Sequence, residues 1–570
     1  MTQREYWNRG WSRRMSRRGM LRGAAVGVAG LAGAALVGCG SDEESTSAPA
    51  GTAGAAAGTT AAASGPPASA APAMDAIPRG GELVYGWNYD PPSLDPHFGT
   101  SGNEREWLHM PYDRLVNTNQ AGLLDPSLSL AESWEQVDPL TVVLKLRPDV
   151  FIWKTDEAVD AELVKWNLER AKDPAATTRS ALESVESVEV VSPSELILHQ
   201  AAISAPILSN LTDRPGAIIS RRQLEALGKE AFGRNPLGSG PYQVESWKAS
   251  AQMVFVGNKD HWMRDDQGGQ VPYLDKFTMN IIPDPTVMVA ALESGESDLL
   301  TSPSDDYGRL KESGDLQLSE FVGSHTYIFY INHNIPPWDN EKWRKGFSHA
   351  MDRDSYIKNF LKGHEPLGRG LLTPASWAWD DTIEGDMFDL QKARDLLVAS
   401  GIPEAEWTPR IQPIGQSVTT SDEFWVASGA KAGIKFELAQ AEPGSYATRV
   451  LTGLGGDGSA GAFWSTWSMR LDPDANIGDF YMEKASYNAG QYPVPELEPL
   501  VIKARETLEP EERKAIYSEI QRYAVEHTIN AITLTYAINS RFGSKRVGNL
   551  EKVFGGEGKE RFYWLYNKEA

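Results

Sequence analysis

Thr141-Val142-Val143-Leu144-Lys145-Leu146-Arg147 is rich in β-branched and apolar residues and reads as a strand; the pattern then changes to a helical period over Asp160 to Ala171, where Leu163, Val164 and Leu168 recur on one face. That switch from strand to helix decides the fold class, because it is repeated along the chain. Gly81-Glu82-Leu83-Val84-Tyr85-Gly86-Trp87 is a strand that runs into the prolines of Asp90-Pro91-Pro92, which fix the backbone and end it. Leu130 to Glu135 leads into a strand, and Asn235 to Tyr242 is a Gly/Pro turn entering another. Helical spacing returns at Pro285 to Gly295, Lys342 to Met351, Leu390 to Ser400 and Pro510 to His527, with Gly295 placed to end the first of these. Strands and helices intermingle throughout, so the class is α/β. At 570 residues the chain is too long for one hydrophobic core, and at least two lobes are expected.

The N-terminus reads as an address. Ser16-Arg17-Arg18-Gly19-Met20-Leu21-Arg22 resembles a twin-arginine export motif, with Arg17 and Arg18 as the pair. The apolar run from Gly23 to Val37 suits a signal peptide and is too short for a spanning helix. It ends in Leu36-Val37-Gly38-Cys39, which resembles a lipobox, so cleavage and lipidation are expected at Cys39, the single cysteine of the chain. Residues 41–77 are Ala, Gly, Ser, Thr and Pro almost throughout, a composition that cannot bury a core and reads as a tether. The formal charge is −22; beyond residue 38 the chain holds 48 basic against 76 acidic residues. Such a surface keeps a protein soluble and repels nucleic acid.

Beyond Gly80 a series of segments carries a resemblance. They are Asp90 to His97, Tyr112-Asp113-Arg114-Leu115-Val116, Leu130-Ala131-Glu132-Ser133-Trp134, Leu144 to Val150 and Pro236 to Tyr242. Ala291 to Asp298, Asn332 followed by Pro336-Pro337-Trp338-Asp339, Trp343 to Arg353, Ala393 to Leu397 and Asp472-Pro473-Asp474 complete it. In order and spacing the chain resembles the family 5 extracellular solute-binding proteins, the dipeptide, oligopeptide and nickel-binding class, from about Gly80 to Leu550. The resemblance implies a periplasmic-binding-protein-like type II fold (cluster C), with two lobes, a hinge and a cleft between them. It places a signal peptide at 1–38, the lipidated cysteine and tether at 39–78, lobe I at 79–326 and 535–570, and lobe II at 327–534. The hinge strands fall near Tyr327–Asn332 and Leu534–Asn539. It implies a monomer, lipid-anchored at the extracytoplasmic face of the membrane, which hands a small-molecule ligand to an ABC permease and ATPase.

By family position the cleft is lined by Trp87, Tyr89, Ser101 and Asn103, by Tyr327 and Tyr330, and by Trp464, Trp467, Met469 and Arg470. Peptide-binding members carry an aspartate three residues before their acidic-Pro pair; at that place this sequence has Met469, followed by Arg470. An ammonium anchor is therefore missing unless Asp474 or another nearby acid replaces it, and Arg470 could meet a carboxylate or phosphate. Phe151 to Asp156 departs from the family's Gly-rich turn. No cofactor or metal is expected: the histidines are scattered, His325 and His333 lack an acidic partner at ligand spacing, and Gly455 to Ser459 lacks the Lys-Ser/Thr of a phosphate loop. A binding protein for oligopeptides or oligosaccharide-like solutes is the reading; the alternative is an exported lipoprotein hydrolase or a sensor on the same fold.

Overall fold

The computed structural model describes residues 77–99, 103–301, 306–413, 419–439, 460–485, 487–556 and 558–570. Cys39, Arg17 and Arg18, with the tether, lie outside the described residues, as does Ser101. No helix among the described residues is long and apolar enough to cross a membrane.

The strands run in chain order as β1 (Glu82–Trp87), β2 (Ala131–Asp138), β3 (Thr141–Leu146), β4 (Val185–Ser192), β5 (Glu195–Gln200), β6 (Tyr242–Lys248), β7 (Gln252–Gly257) and β8 (Lys276–Ile281). Then follow β9 (Leu299–Thr301), β10 (Leu316–Ile331), β11 (Arg410–Gln412), β12 (Glu437–Leu438), β13 (Ala462–Ser468), β14 (Ala531–Ser544), β15 (Val547–Gly548) and β16 (Tyr566–Asn567). The class is α/β, as expected. β2, β3, β5 and β4 form an antiparallel four-stranded sheet, and β15 pairs with β16. All the others join one ten-stranded sheet, ordered β12-β11-β13-β10-β14-β9-β1-β8-β7-β6.

The helices begin where the sequence places them, because each start carries an oxygen that accepts an orphan amide. Asp160 caps Ala161–Ala171 by accepting from the Leu163 amide, Asp284 caps Pro285–Glu293, Asn340 caps Glu341–Ala350 and Asp389 caps Leu390–Ala399. Pro510–Glu526 opens on proline at its first position. Gly295 takes a left-handed φ of 79° just past the end of its helix.

β10 and β14 span the middle of the large sheet. The first part of β10, Leu316–Val322, pairs with Ile538–Ser544; the last part, Thr326–Tyr330, pairs with Ala531–Tyr536 and also with β13. Between them the register shifts at Val322/Thr326. Gly323 sits in that shift at φ 85°, and a Cβ there would lie 2.7 Å from Thr373 Oγ1, so both backbone and space demand glycine.

The far end of this sheet is packed on both faces. One face carries Ile328, Tyr330, Phe463 and Trp467 against Ile477, Phe480, Leu497, Val501, Tyr517 and Ile520. The other carries Phe329, Ile331, Ala462 and Trp464 against Trp338, Trp343, Phe347, Trp425 and Ile434. Alternation along β10 and β13 sorts the residues to these two faces.

Candidate functional site

Tyr327 and Tyr330 are three residues apart on a strand, and so are Trp464 and Trp467, so period-2 alternation turns each pair to opposite faces. Expected as one lining set, the four aromatics divide. Tyr330 is buried and stacked on Phe480 with ring centroids 5.2 Å apart. Trp467 is 3 % exposed, packs edge-on against Phe480 and Tyr487, and donates its Nε1–H to Asn476 Oδ1 at 3.0 Å. Both lie in the apolar core of that face. Tyr327 and Trp464 share the other face, their rings stacked at 6.4 Å and 26°.

On that second face the cover stops short. Phe329 and Ile331 are buried under helices, whereas His325 and Tyr327 on β10 and Thr466 and Ser468 on β13 are half-buried. The register pairs His325 with Ser468 and Tyr327 with Thr466. These positions form a partly uncovered stripe on an otherwise buried sheet, beside the register shift. Trp464 closes its far end, 5 % exposed, and its Nε1–H is buried with no acceptor among the described residues. Burial, and then Glu365, push the Tyr327 hydroxyl above its usual range.

The near end of the stripe is basic. Arg470 follows β13, donates to Ser468 O at 2.9 Å, and lies 5.0 Å from the Trp467 ring centre. It makes no direct salt bridge among the described residues, but its charge acts on the Asp479 carboxyl and opposes the rise that burial causes there. The cations close to it are otherwise paired: Arg214 with Glu104 at 2.6 Å, Arg105 with Asp213, Lys559 with Glu106 at 2.5 Å, and Arg541 with Glu560. Burial, and then the Arg470 and Arg214 guanidiniums, pull the Arg105 pKa well down. Burial, and then Lys559, Arg470, Arg105 and Arg541, drive the His325 imidazole down to about 3, so it is neutral in a positive field.

Met469 is buried. The acids thought able to replace the missing aspartate are engaged elsewhere. Asp472 caps Pro473–Tyr481 and is gripped by two Arg513 nitrogens at 3.1 and 2.7 Å. Asp474, one of the acids open as a substitute anchor, is held by Arg505 Nε at 3.0 Å. Asp479, on the same helix, is half-buried and makes no hydrogen bond among the described residues; burial raises its carboxyl to about 6.

At the start of the chain, Trp87 is buried beside Tyr85 and Trp107, with the Arg541 guanidinium 5.7 Å from its ring centre. Its Nε1–H also lacks an acceptor. Tyr89 is half-buried just past β1. Asn103 opens the short 3-10 turn Asn103–Glu106, which also carries Glu104 and Arg105. Two open surface hollows, one by Phe98 and Lys229 and one by Glu157 and Arg222, meet at Trp166 and contain none of the expected residues. Among the described residues no group of His, Cys, Asp or Glu is arranged to hold a metal ion. His333 instead accepts from the Asn530 amide and stacks on Tyr492.

Sequence reasoning missed Glu365, Asp479 and Arg105. No periodicity marks Glu365 in Gly363-His364-Glu365-Pro366, and its burial arises from a loop laid against β14. Asp479 stood in plain view, five residues past Asp474, on the helix face that stays half-open.

Residues 125–488 match the family model described as bacterial extracellular solute-binding proteins, family 5 middle. The dipeptide-binding protein of Escherichia coli K12 is 25% identical over 476 residues, which is 77% of this chain and 86% of that protein. Heme-binding protein A of Haemophilus influenzae is 26% identical over 484 residues, 78% of this chain and 85% of its own. In fold the chain is similar to the periplasmic binding protein DppA of Helicobacter pylori in complex with peptide STSA (TM-score 0.75, 23% identity, 86% of this chain and 99% of that one). It is also similar to NikZ of Campylobacter jejuni in complex with Ni(L-His) (TM-score 0.74, 21% identity, 85% and 99%). The fold is that of a two-lobed periplasmic binding protein. The chain belongs to the family 5 bacterial extracellular solute-binding proteins, and is a binding protein of the ABC-importer kind rather than an enzyme.

Proposed function

We propose that the protein is a lipid-anchored receptor that captures an oligopeptide-like solute outside the cytoplasmic membrane and delivers it to a permease. The observation that carries this reading is the half-buried stripe of His325, Tyr327, Thr466 and Ser468, which ends at Arg470, a guanidinium in no direct salt bridge among the described residues. A positive field around a neutral imidazole suits an anionic group, and Arg470 presents the planar fork that takes a carboxylate in two hydrogen bonds. A neutral oligosaccharide would offer Arg470 no charged acceptor, so the basic end of the stripe favours a peptide-like solute over a sugar.

Lobe I would be residues 79–326 and 535–570, and lobe II residues 327–534, turning about the register shift at Gly323 on β10 and the facing stretch of β14. Tyr327, Trp464 and Arg470 would be contributed by lobe II and Trp87, Tyr89, Ser101 and Asn103 by lobe I. A solute touching both lobes only when they meet shifts the population to the closed form that the permease reads. Twin-arginine export through Arg17-Arg18 and lipidation of Cys39 complete the proposal, with the tether spacing a monomeric head from the bilayer.

Two experiments test it. Isothermal titration of the purified full-length protein with trialanine and with maltotriose should show saturable binding of the first, weakened at least tenfold in Arg470→Gln; binding of the sugar alone would overturn the peptide reading. Palmitate labelling in the producing cell should mark the wild type and not Cys39→Ser. Equal labelling of both would remove the anchor.

A further inference from the structure

The segment from Glu365 to Gly368 is laid against β14. The Tyr536 amide donates to Pro366 O at 3.0 Å and the Gly368 amide to Leu534 O at 2.9 Å. This brings the Glu365 side chain to Thr535, whose Oγ1 donates to Oε2 at 2.7 Å. Thr535 is the cross-strand partner of Tyr327, and cross-strand partners share a face of the sheet. Glu365 therefore stands over the stripe, next to the stacked rings of Tyr327 and Trp464.

Among the described residues no cation attends this carboxyl. The groups that face it are the Thr535 hydroxyl from β14, Tyr327 from β10 and Tyr356 from the helix Arg353–Asn359, none of them charged near neutral pH. His364, its neighbour in the chain, is turned to Glu320 at 2.9 Å. Half-buried, with one hydrogen bond, the carboxyl is raised by burial to about 7. Other carboxylates among the described residues are paired with arginine: Asp95 with Arg170, Asp472 with Arg513 and Asp474 with Arg505. A carboxyl and two aromatic faces without a counter-ion are the chemistry that receives an organic cation.

We propose that Glu365, with the ring faces of Tyr327 and Trp464, forms a subsite for the ammonium group of the solute. The proposal rests on the solute-binding reading and deepens it: the ammonium anchor absent at Met469 is supplied from another element. The unpaired Trp464 Nε1–H, 95% removed from solvent, donates to an acceptor oxygen of the same solute. The solute is then an amine with a nearby carbonyl or carboxylate oxygen. Because only the ionised carboxyl holds the cation, affinity rises by about tenfold between pH 6 and pH 8.

The test uses butylammonium chloride as the cation, and butan-1-ol as its uncharged counterpart, titrated into full-length protein and followed calorimetrically. The expected result is saturable binding of butylammonium at least tenfold tighter than butanol, strengthening about tenfold from pH 6 to pH 8, and lost in Glu365→Gln. That variant copies the neutral form of the side chain, and a thermal midpoint at or above the wild type shows that it folds. A wild type blind to butylammonium, a Glu365→Gln protein that binds it equally, or binding flat with pH would overturn the subsite. A second arm separates the two proposals. A neutral saccharide extracted from the protein overturns the subsite and leaves the importer reading intact. Butylammonium binding that depends on Glu365, in a protein that binds no larger solute, overturns the importer reading and leaves the subsite.

Discussion

Trp464 and Trp467 stand on the same strand, in the same sequence motif, both nearly buried, and they do different things. Trp467 has every need met: its Nε1–H is accepted by Asn476 and its ring is enclosed by Phe480 and Tyr487. Trp464 faces a stripe that its neighbours leave half-open, and its Nε1–H has no acceptor among the described residues. A buried donor left unsatisfied costs about 1–3 kcal/mol, a cost that Trp338, Trp343 and Trp425 in the core of that face also bear. Burial alone does not separate a structural aromatic from a ligand-facing one. The half-open stripe beside Trp464, absent on the face of Trp467, is what sets the two apart.

The sharpest way to break this comparison is to remove the ring that the account calls structural. Trp467→Ala should destabilise the fold by about 3–5 kcal/mol, read as a large fall in the urea midpoint, because the void opens between two packed layers. A midpoint near the wild type would mean that Trp467 is not core. Next in size is Glu365. Its folded pKa of about 7 lies above its ordinary 4.5, so it costs stability above pH 4.5 and the full amount above pH 7. Glu365→Gln should therefore be more stable than the wild type at pH 8, on the order of 1–3 kcal/mol, with the advantage gone below pH 4.5. A variant less stable at pH 8 would show that the carboxylate is satisfied within the fold.

Trp464→Phe keeps most of the ring and removes the donor. It should weaken trialanine binding about tenfold, the value of one hydrogen bond to a charged or strongly polar group, while the thermal midpoint moves by a few degrees at most. If affinity is unchanged and stability falls, Trp464 belongs with Trp467. The smallest effect is expected from Met469→Asp. That position borders Arg470, so a new carboxylate would pair with it and compete with the ligand's anionic group. A modest loss of trialanine affinity is expected, and a gain would instead place the ammonium at residue 469.

Much of the fold was legible in the sequence, and the reason is local. Asp160, Asp284, Asn340 and Asp389 are caps whose side chains accept from amides two or three residues on, so each helix start can be read without knowing its neighbours. The strand Tyr327–Asn332 was read correctly but cut short, because Leu316–Val322 lies beyond the glycine break at Gly323, and a chain-local pattern does not continue through a register shift. The division of the expected lining set between two faces was legible in part. Tyr327 with Tyr330, and Trp464 with Trp467, could have been separated by strand alternation once both segments were called strands. Glu365 could not be found, because its chemistry comes from what is missing around it: a counter-ion, which only a three-dimensional arrangement can reveal. In the turn at Phe151–Asp156, Lys154 stands at φ 54° over the Trp153 ring.

The most direct test of the central claim is native mass spectrometry of the full-length protein isolated from its own host, beside Glu365→Gln and Trp464→Phe prepared in the same way. One small molecule per wild-type chain is expected, released on unfolding, bearing both an amine and an anionic oxygen group, and depleted in both variants. An adduct retained undiminished by both variants would contradict it, because the solute would then sit away from the stripe; so would a wild-type protein that leaves its host bare and gains nothing from that host's growth medium.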